Sequence, residues 1–132
     1  LKENGIPFAH HFVSRYEDIV KFYYALDLYI ISSREEGGPL ALVEGMSTGV
    51  PIITTAVGMA PEIIKHGENG MIAEIDDYRS LEKYALEVIK KEELCSKIII
   101  NGMTDVSKYD WGILALRCYE EIYKPMLIES NR

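Results

Sequence analysis

Residues 27–55 read DLYIISSREEGGPLALVEGMSTGVPIITT, and this stretch decides the fold. Its apolar run Leu28–Ile31 is continuous, as in strands that are buried on both faces of a parallel sheet. The polar, glycine-ended segment Ser32–Gly38 predicts a loop. A helix is expected over Pro39–Thr48, because proline suits a first helical turn and a glycine follows the last one. Pro51–Thr55 then predicts the next strand, which completes a strand–helix–strand unit.

The same alternation continues on both sides of this unit. Upstream, Phe8–Val13 predicts a strand and Tyr16–Ala25 predicts a helix. Downstream, Ala60–Lys65 predicts a short helix and Met71–Glu74 predicts a fourth strand. The order βαβαβαβ is typical of an α/β fold with a Rossmann-like parallel sheet flanked by helices, here half of a doubly wound sheet.

Only helices are predicted after the fourth strand. Asp77 or Ser80 is expected to cap the first of them, and Glu92–Val106 predicts the second. A third helix is expected to begin near Asp110 and to be limited by Pro125. The fold class is therefore a sheet followed by C-terminal helices.

Composition limits the function classes. The chain has 132 residues, with 14 Lys and Arg against 21 Asp and Glu, a net charge of −7 and a pI near 5.0. This length predicts one domain, and this charge argues against a nucleic-acid partner. No apolar run approaches the roughly 20 residues of a membrane helix, and no signal-peptide pattern opens the chain. We therefore expect a cytoplasmic protein with no transmembrane segment.

Four kinds of side chain are assigned to structure rather than chemistry. Cys95 and Cys118 are expected to be small buried residues in a reducing compartment. The Tyr23–Tyr24 pair and Trp111 are expected in the core rather than as platforms for a sugar. The histidines show no metal-binding spacing.

The chemistry is concentrated in the predicted loop Ser32–Gly38 and the start of the helix that follows it. Glu36 lies at the mouth of this loop, and Glu44 lies eight positions later on the helix. Gly37 and Gly38 allow backbone N–H groups to approach a ligand, and the helix start favours a phosphate or another negatively polarised oxygen. A carboxylate accepts two hydrogen bonds side by side, which matches the vicinal hydroxyls of a sugar. The pattern favours a sugar with an attached phosphate.

This stretch resembles the donor-site signature of the retaining glycosyltransferases of family 4, which have the GT-B fold. The signature is a Glu, seven residues and a second Glu within a longer frame, matched here by Ser33, Glu36, Gly37, Glu44, Met46, Gly49 and Pro51. The flanking matches are Tyr24 and Asp27 upstream, and Gly58, Glu62, Gly67, Asn69 and Gly70 downstream. The resemblance covers residues 24–75 well and the remainder by the order of elements.

The resemblance implies roles for individual residues. Glu44 binds the ribose hydroxyls of a nucleotide sugar, and Glu36, at the catalytic position, lies near the transferred sugar. The backbone of Gly37, Gly38, Pro39 and Leu40 lies against the sugar and the diphosphate. Arg34 is either an exposed residue or a cation beside the diphosphate. Gly38, Pro39 and Met59 depart from the family pattern, which puts sugar preference and the contact at Pro39 in doubt.

The resemblance also implies what the chain works with. The donor is a nucleotide-diphosphate sugar, the acceptor is a glycan, a lipid or another molecule, and no metal or other cofactor is expected. The family's Arg/Lys element and its N-terminal acceptor domain find no match here. We therefore expect residues 1–132 to be part of a C-terminal nucleotide-sugar-binding domain, inactive alone but part of an active hexosyltransferase. That enzyme is expected to serve polysaccharide or glycoconjugate assembly, and to meet the inner membrane face through the missing domain.

Two other interpretations remain open. The chain is alternatively a non-catalytic α/β ligand-binding or interaction module that shares the fold, or the related half of a sugar phosphorylase or epimerase. For Glu36 and Glu44, the alternative is a pair of solvated carboxylates near a helix start.

Overall fold

A computed structural model of the chain describes residues 2–38 and 40–129. Its strands form one parallel sheet in sequence order: β1 (Tyr29–Ile31), β2 (Ile52–Thr55) and β3 (Met71–Ala73). The α-helices in the described ranges are α1 (Tyr16–Tyr24), α2 (Leu40–Ser47), α3 (Ala60–Ile63), α4 (Tyr78–Lys90), α5 (Glu92–Val106), α6 (Trp111–Cys118) and α7 (Lys124–Glu129). The predicted fold class, a parallel sheet flanked by helices with further helices after the last strand, is confirmed.

The central strand β2 shows why the sheet is covered on both faces. Successive strand residues point to opposite faces, and all four residues of β2 are buried. Ile52 packs into one apolar cluster with Leu42 of α2 and Ile63 of α3. Ile53 packs into a second cluster with Val88 of α4 and Ile98 of α5. Helices therefore cover both faces, as the continuous apolar runs of the sequence indicated.

The predicted strand at Phe8–Val13 is wrong. Residues 6–14 form neither helix nor strand in the structure. A strand needs a neighbour for its backbone groups and a surface for its side chains, and Phe12 is 89% exposed. In the described part of the chain, β1 pairs with β2 on one side, and residues 6–14 do not pair with its other edge.

The start of α4 follows a predicted cap, and α6 begins next to Asp110, where its start was expected. The Asp77 carboxylate caps α4 by accepting a hydrogen bond of 3.0 Å from the Ser80 N–H. It also accepts one of 2.6 Å from the Ser80 hydroxyl, and these two bonds, the hydroxyl first, lower the pKa of Asp77. Asp110 caps α6 by accepting a bond of 2.8 Å from the Gly112 N–H. The predicted first residue of α2, Pro39, lies outside the described residues.

The sequence predicted that the last helix would be limited by Pro125, and this prediction is wrong. A π-helical turn over Tyr119–Tyr123 comes first, and the Lys124 N–H donates to the Tyr119 carbonyl five residues back. Proline clashes with the carbonyl four residues before it, so a widened turn lets the helix continue through α7. The run from α6 to α7 contains no residue classed as buried among those described.

Three of the side chains expected inside lie on the surface. Trp111 is 74% exposed and Tyr24 is 71% exposed, so both predictions of burial are wrong. Cys118 is also exposed, Cys95 is half-buried, and both thiols are free. These positions lie on helix faces that the rest of the described chain leaves uncovered. Tyr23 is buried, as predicted.

Candidate functional site

The loop between β1 and α2 lies at the carboxyl ends of the strands, where the sequence predicted it. The Thr55 hydroxyl, at the end of β2, donates a hydrogen bond of 2.6 Å to the Ser33 carbonyl. Gly58 lies in the next loop with φ at +48°, and a Cβ there would stand 2.7 Å from the Glu36 carbonyl oxygen. The two loops are therefore packed backbone to backbone, and Gly58 is required by that contact.

The Glu36 side chain is held by Ser33 and remains open to solvent. The Ser33 hydroxyl donates a hydrogen bond of 2.8 Å to its Oε1. Ser33 itself is fixed by Thr55 through its backbone, so the sheet positions Glu36 indirectly. The Glu36 carboxylate is exposed and keeps further acceptor positions for a ligand.

Glu44 is held differently, by two phenols. It is half-buried on α2, and the Tyr16 hydroxyl donates to its Oε1 at 2.7 Å. The Tyr23 hydroxyl donates to its Oε2 at 3.2 Å. Tyr23 is only 5% exposed, and its ring meets the Tyr29 ring edge-on with centroids 5.5 Å apart. Glu44 is thereby linked to the core through two elements, α1 and β1.

The pKa values of both phenols are raised by their surroundings. Burial, followed by the charges of Tyr29 and Glu44, raises the pKa of Tyr23 well above its ordinary value. The hydrogen bond to the Glu44 carboxylate raises the pKa of Tyr16. Both phenols therefore remain protonated hydrogen-bond donors throughout the neutral range.

The Arg34 side chain points to the loop after β3. Its Nε donates a hydrogen bond of 2.6 Å to Oδ1 of Asp76, and the two side chains are 80% and 62% exposed. Asp76 has φ at +66°, the left-handed region that non-glycine residues seldom adopt. Arg34 is thus an exposed cation that is tethered to a neighbouring loop, and its place beside a diphosphate stays a prediction.

One of the backbone N–H groups at the start of α2 already has a hydrogen-bond acceptor within the loop. The Leu40 N–H donates to the Gly38 carbonyl at 2.8 Å, so in this structure it closes the loop on itself. A Cβ on Gly37 would meet nothing within 4 Å, and one on Gly38 would lie 3.7 Å from the Met59 sulfur. The loop is therefore open at Gly37 and Gly38, where a ligand can approach. Pro39 lies outside the described residues.

A cavity of about 520 Å³ adjoins this corner. It brings together Gly38, Leu40 and Glu44 of the predicted site, whereas Glu36, Gly37 and Arg34 do not line it. The remaining lining residues are Tyr16, Val43, Ser47, Met59, Ile63, Met103, Val106, Ser107, Tyr109, Asp110, Trp111 and Leu114. Two carboxylates and no Lys, Arg or His belong to this lining, as far as the described residues go.

Sequence reasoning missed Tyr16 and the wall formed by the end of α5 and the start of α6. Tyr16 lies 28 residues before Glu44, so no local motif connects the two. One signal was available, because Tyr16 and Tyr23 are seven residues apart and share a face of α1.

Two absences are observed in the described ranges. No group of three or more His, Cys, Asp or Glu side chains there is arranged to hold a metal ion. None of the helices in those ranges has the length and apolar character needed to cross a bilayer.

A parallel sheet with its candidate residues at the carboxyl ends of the strands defines an α/β ligand-binding domain. Residues 3–105 match the family described as Glycosyl transferases group 1, and the chain belongs to this family. Its fold is that of the C-terminal domain of GT-B glycosyltransferases.

Individual relatives agree with this assignment. The chain is 35% identical over 120 residues to the N-acetyl-alpha-D-glucosaminyl L-malate synthase of Bacillus anthracis, a match that covers 91% of the chain and 32% of that protein. The solved C-terminal domain of a group 1 glycosyl transferase from Francisella tularensis superposes with a TM-score of 0.70 at 30% identity, covering 75% of this chain and 51% of that one.

A second solved structure was determined with a ligand. Anabaena HepE in complex with UDP-glucose superposes with a TM-score of 0.66 at 26% identity, covering 69% of this chain and 25% of that one. The chain spans about a third of the length of the curated relatives it matches.

Proposed function

We propose that the chain is the donor-binding part of a retaining glycosyltransferase of family 4. The complete enzyme transfers a sugar from a nucleotide-diphosphate sugar to a glycan, lipid or other acceptor. One observation carries the proposal: Glu44 lines a cavity at the carboxyl ends of the strands, in a chain of the group 1 glycosyltransferase family. The place of residues 1–132 as part of a C-terminal nucleotide-sugar-binding domain belongs to the same proposal.

Each residue then has a chemical task. Glu44 accepts hydrogen bonds from the two ribose hydroxyls, because one carboxylate matches a vicinal diol. Glu36 faces the transferred sugar, binding its hydroxyls or stabilising positive charge that develops there. Gly37 and Gly38 admit the diphosphate close to the start of α2, whose dipole favours an anion.

Charge on the leaving diphosphate must also be stabilised. Arg34 is the cation of this loop, and its link to Asp76 is exposed enough to be exchanged for a phosphate. Because the cavity lining carries carboxylates rather than cations, we assign the remaining phosphate contacts to a second, N-terminal domain that also holds the acceptor. No metal or other cofactor enters this scheme. We place the enzyme in the cytoplasm, in polysaccharide or glycoconjugate assembly.

Donor binding tests the role of Glu44. Uridine, guanosine and adenosine diphosphates are titrated by calorimetry into the full-length protein that carries this chain. For the nucleotide that binds, Glu44→Ala is expected to raise the Kd about 30-fold, equivalent to about 2 kcal/mol of charge-assisted hydrogen bonding. Glu35→Ala, in the same loop but outside the site, is the matched control. An unchanged Kd in the Glu44 variant contradicts the proposal.

Turnover tests the role of Glu36. Glu36→Gln is expected to lower kcat about 100-fold while leaving the Kd of the nucleoside diphosphate unchanged, because this probe lacks the sugar. A retaining reaction gives a product with the anomeric configuration of the donor, which NMR of the product measures. A fully active Glu36→Gln enzyme, or an inverted product, contradicts the corresponding part of the proposal.

A further inference from the structure

The two oxygens of Glu44 are each engaged by a different tyrosine. Tyr16 donates to Oε1 and Tyr23 donates to Oε2, at 2.7 and 3.2 Å. Neither tyrosine belongs to the motif that contains Glu44, and both come from α1, more than twenty residues earlier. The arrangement therefore requires the tertiary structure and is not a property of the motif.

The two phenols differ in how firmly they are held. Tyr23 is 5% exposed and is wedged against the Tyr29 ring of β1, so its hydroxyl has a fixed position. Tyr16 is 61% exposed and lines the same cavity as Glu44. One phenol thus anchors the carboxylate to the core, and the other holds it from the cavity side.

Each oxygen of the Glu44 carboxylate keeps an acceptor position for a ligand. An ionised carboxylate offers about four acceptor positions, two on each oxygen. The two tyrosines fill one position on each oxygen, which leaves one on each. A carboxylate oriented in this way presents two adjacent acceptors, and the matching ligand group is a pair of neighbouring hydroxyls that both donate.

We propose that Tyr16 and Tyr23 are positioning residues that orient Glu44 as a two-oxygen acceptor, and so make the site select a vicinal diol over a single hydroxyl. This rests on the proposed function, in which Glu44 binds ribose. The selectivity is for ribonucleoside diphosphates over their 2′-deoxy counterparts. A lone, freely rotating carboxylate also binds a diol, but it must lose that rotational freedom on binding.

The test compares two probes for each variant. Uridine, guanosine and adenosine diphosphates and their 2′-deoxy counterparts are titrated into the full-length protein that carries this chain. The measured quantity is the selectivity, the Kd of the deoxynucleotide divided by the Kd of the ribonucleotide, for the base that binds. Tyr23→Phe and Tyr16→Phe are each expected to lower this ratio about 3- to 10-fold, the range for losing one hydrogen bond.

The controls separate positioning from folding. Tyr24→Phe removes a hydroxyl next to Tyr23 on an exposed side chain, and it is expected to leave the ratio unchanged. In both the Tyr16→Phe and the Tyr23→Phe variant the ribonucleotide Kd is expected to rise, while the deoxynucleotide Kd stays nearly constant. Thermal unfolding checks that Tyr23→Phe folds, and the exposed Tyr16 gives an independent variant if it does not.

Two failures are distinguishable. If Glu44→Ala removes the selectivity but both phenylalanine variants keep it, Glu44 acts without the tyrosines and the inference is overturned while the proposed function stands. If Glu44→Ala leaves ribonucleotide binding unchanged, the proposed function itself is overturned, and the inference with it.

Discussion

The two carboxylates of the candidate site are eight residues apart, but the structure holds them in different ways. Glu44, with Tyr16 and Tyr23, forms what we call the helix side, which is linked to the core through a buried phenol. The loop side consists of Ser33, Arg34, Glu36 and Asp76, whose side-chain links Ser33–Glu36 and Arg34–Asp76 are exposed. Exposed pairs contribute little to stability, so the loop side is free to adapt. Under the proposed function, the helix side suits the nucleotide part of the donor, and the loop side suits the sugar that is transferred.

The largest expected effect is on the free energy of unfolding, and it comes from the core packing of α2, the helix that carries Glu44. Leu42 is fully buried on α2 and packs with the apolar cluster under β2. Leu42→Ala is expected to lower the free energy of unfolding by about 3 kcal/mol, because a cavity replaces packed atoms. Urea titration measures this, and Leu40→Ala, at a position 52% exposed, is expected to lose less than about 1 kcal/mol. Equal losses would contradict the view that core packing fixes the helix side.

The loop side is expected to be most sensitive at Gly58. An alanine Cβ there would stand 2.7 Å from the Glu36 carbonyl oxygen and 2.8 Å from that of Gly37, at a φ of +48°. Gly58→Ala is expected to lower the free energy of unfolding by about 1–2 kcal/mol and to displace the loop. Turnover is then expected to fall further than nucleoside diphosphate affinity. Gly67→Ala is the matched control, since its φ of +72° is also left-handed but a Cβ there meets nothing within 4 Å. If the two substitutions behave alike, the contact between the loops does not position Glu36.

Sequence patterns correctly predicted the helices and caps that depend on neighbouring residues in the chain. The sequence places α5 at Glu92–Val106, as the structure does, and it identifies Asp77 as a cap. It fails at Phe8–Val13, because a strand also depends on a neighbour that no local pattern specifies. It fails at Pro125 as well, because the π-helical turn that accommodates proline has no simple sequence signature.

The candidate site divides in the same way. The positions of Glu36 and Glu44, on a loop and on the following helix, follow from the period of the sequence, while their roles remain predictions. The long-range contacts of the site were not predicted, because Tyr16 reaches Glu44 across 28 residues and Arg34 reaches Asp76 across 42. Such contacts depend on how the elements pack, which periodicity does not encode.

At alkaline pH, the helix side is expected to make a smaller contribution to the free energy of unfolding, through the phenol of Tyr23. The pKa of Tyr23 is raised in the folded protein above its unfolded value of about 10. Its contribution to stability is therefore complete below pH 10 and is lost as the pH rises through the folded pKa. Above pH 10, the free energy of unfolding is expected to fall more steeply in the wild type than in Tyr23→Phe, as urea titrations at a series of pH values measure. Parallel slopes would show that the phenol is not coupled to folding, and Tyr24→Phe is the control.

The smallest effect on stability is expected at the link between Arg34 and Asp76. Both side chains are exposed, so Asp76→Asn, which removes the charge but keeps the shape, is expected to change the free energy of unfolding by less than about 0.5 kcal/mol. Its left-handed backbone conformation is retained, because asparagine tolerates φ near +66° as well as aspartate does. What changes is the link between Arg34 and Asp76, which is weakened. Amide hydrogen exchange in residues 33–37 is therefore expected to become faster, while exchange in α2 stays constant. Arg34→Gln should give the same exchange pattern, since it breaks the same link from the other end. If exchange in α2 accelerates along with the loop, the two sides of the site are mechanically one unit, and the division between them is wrong.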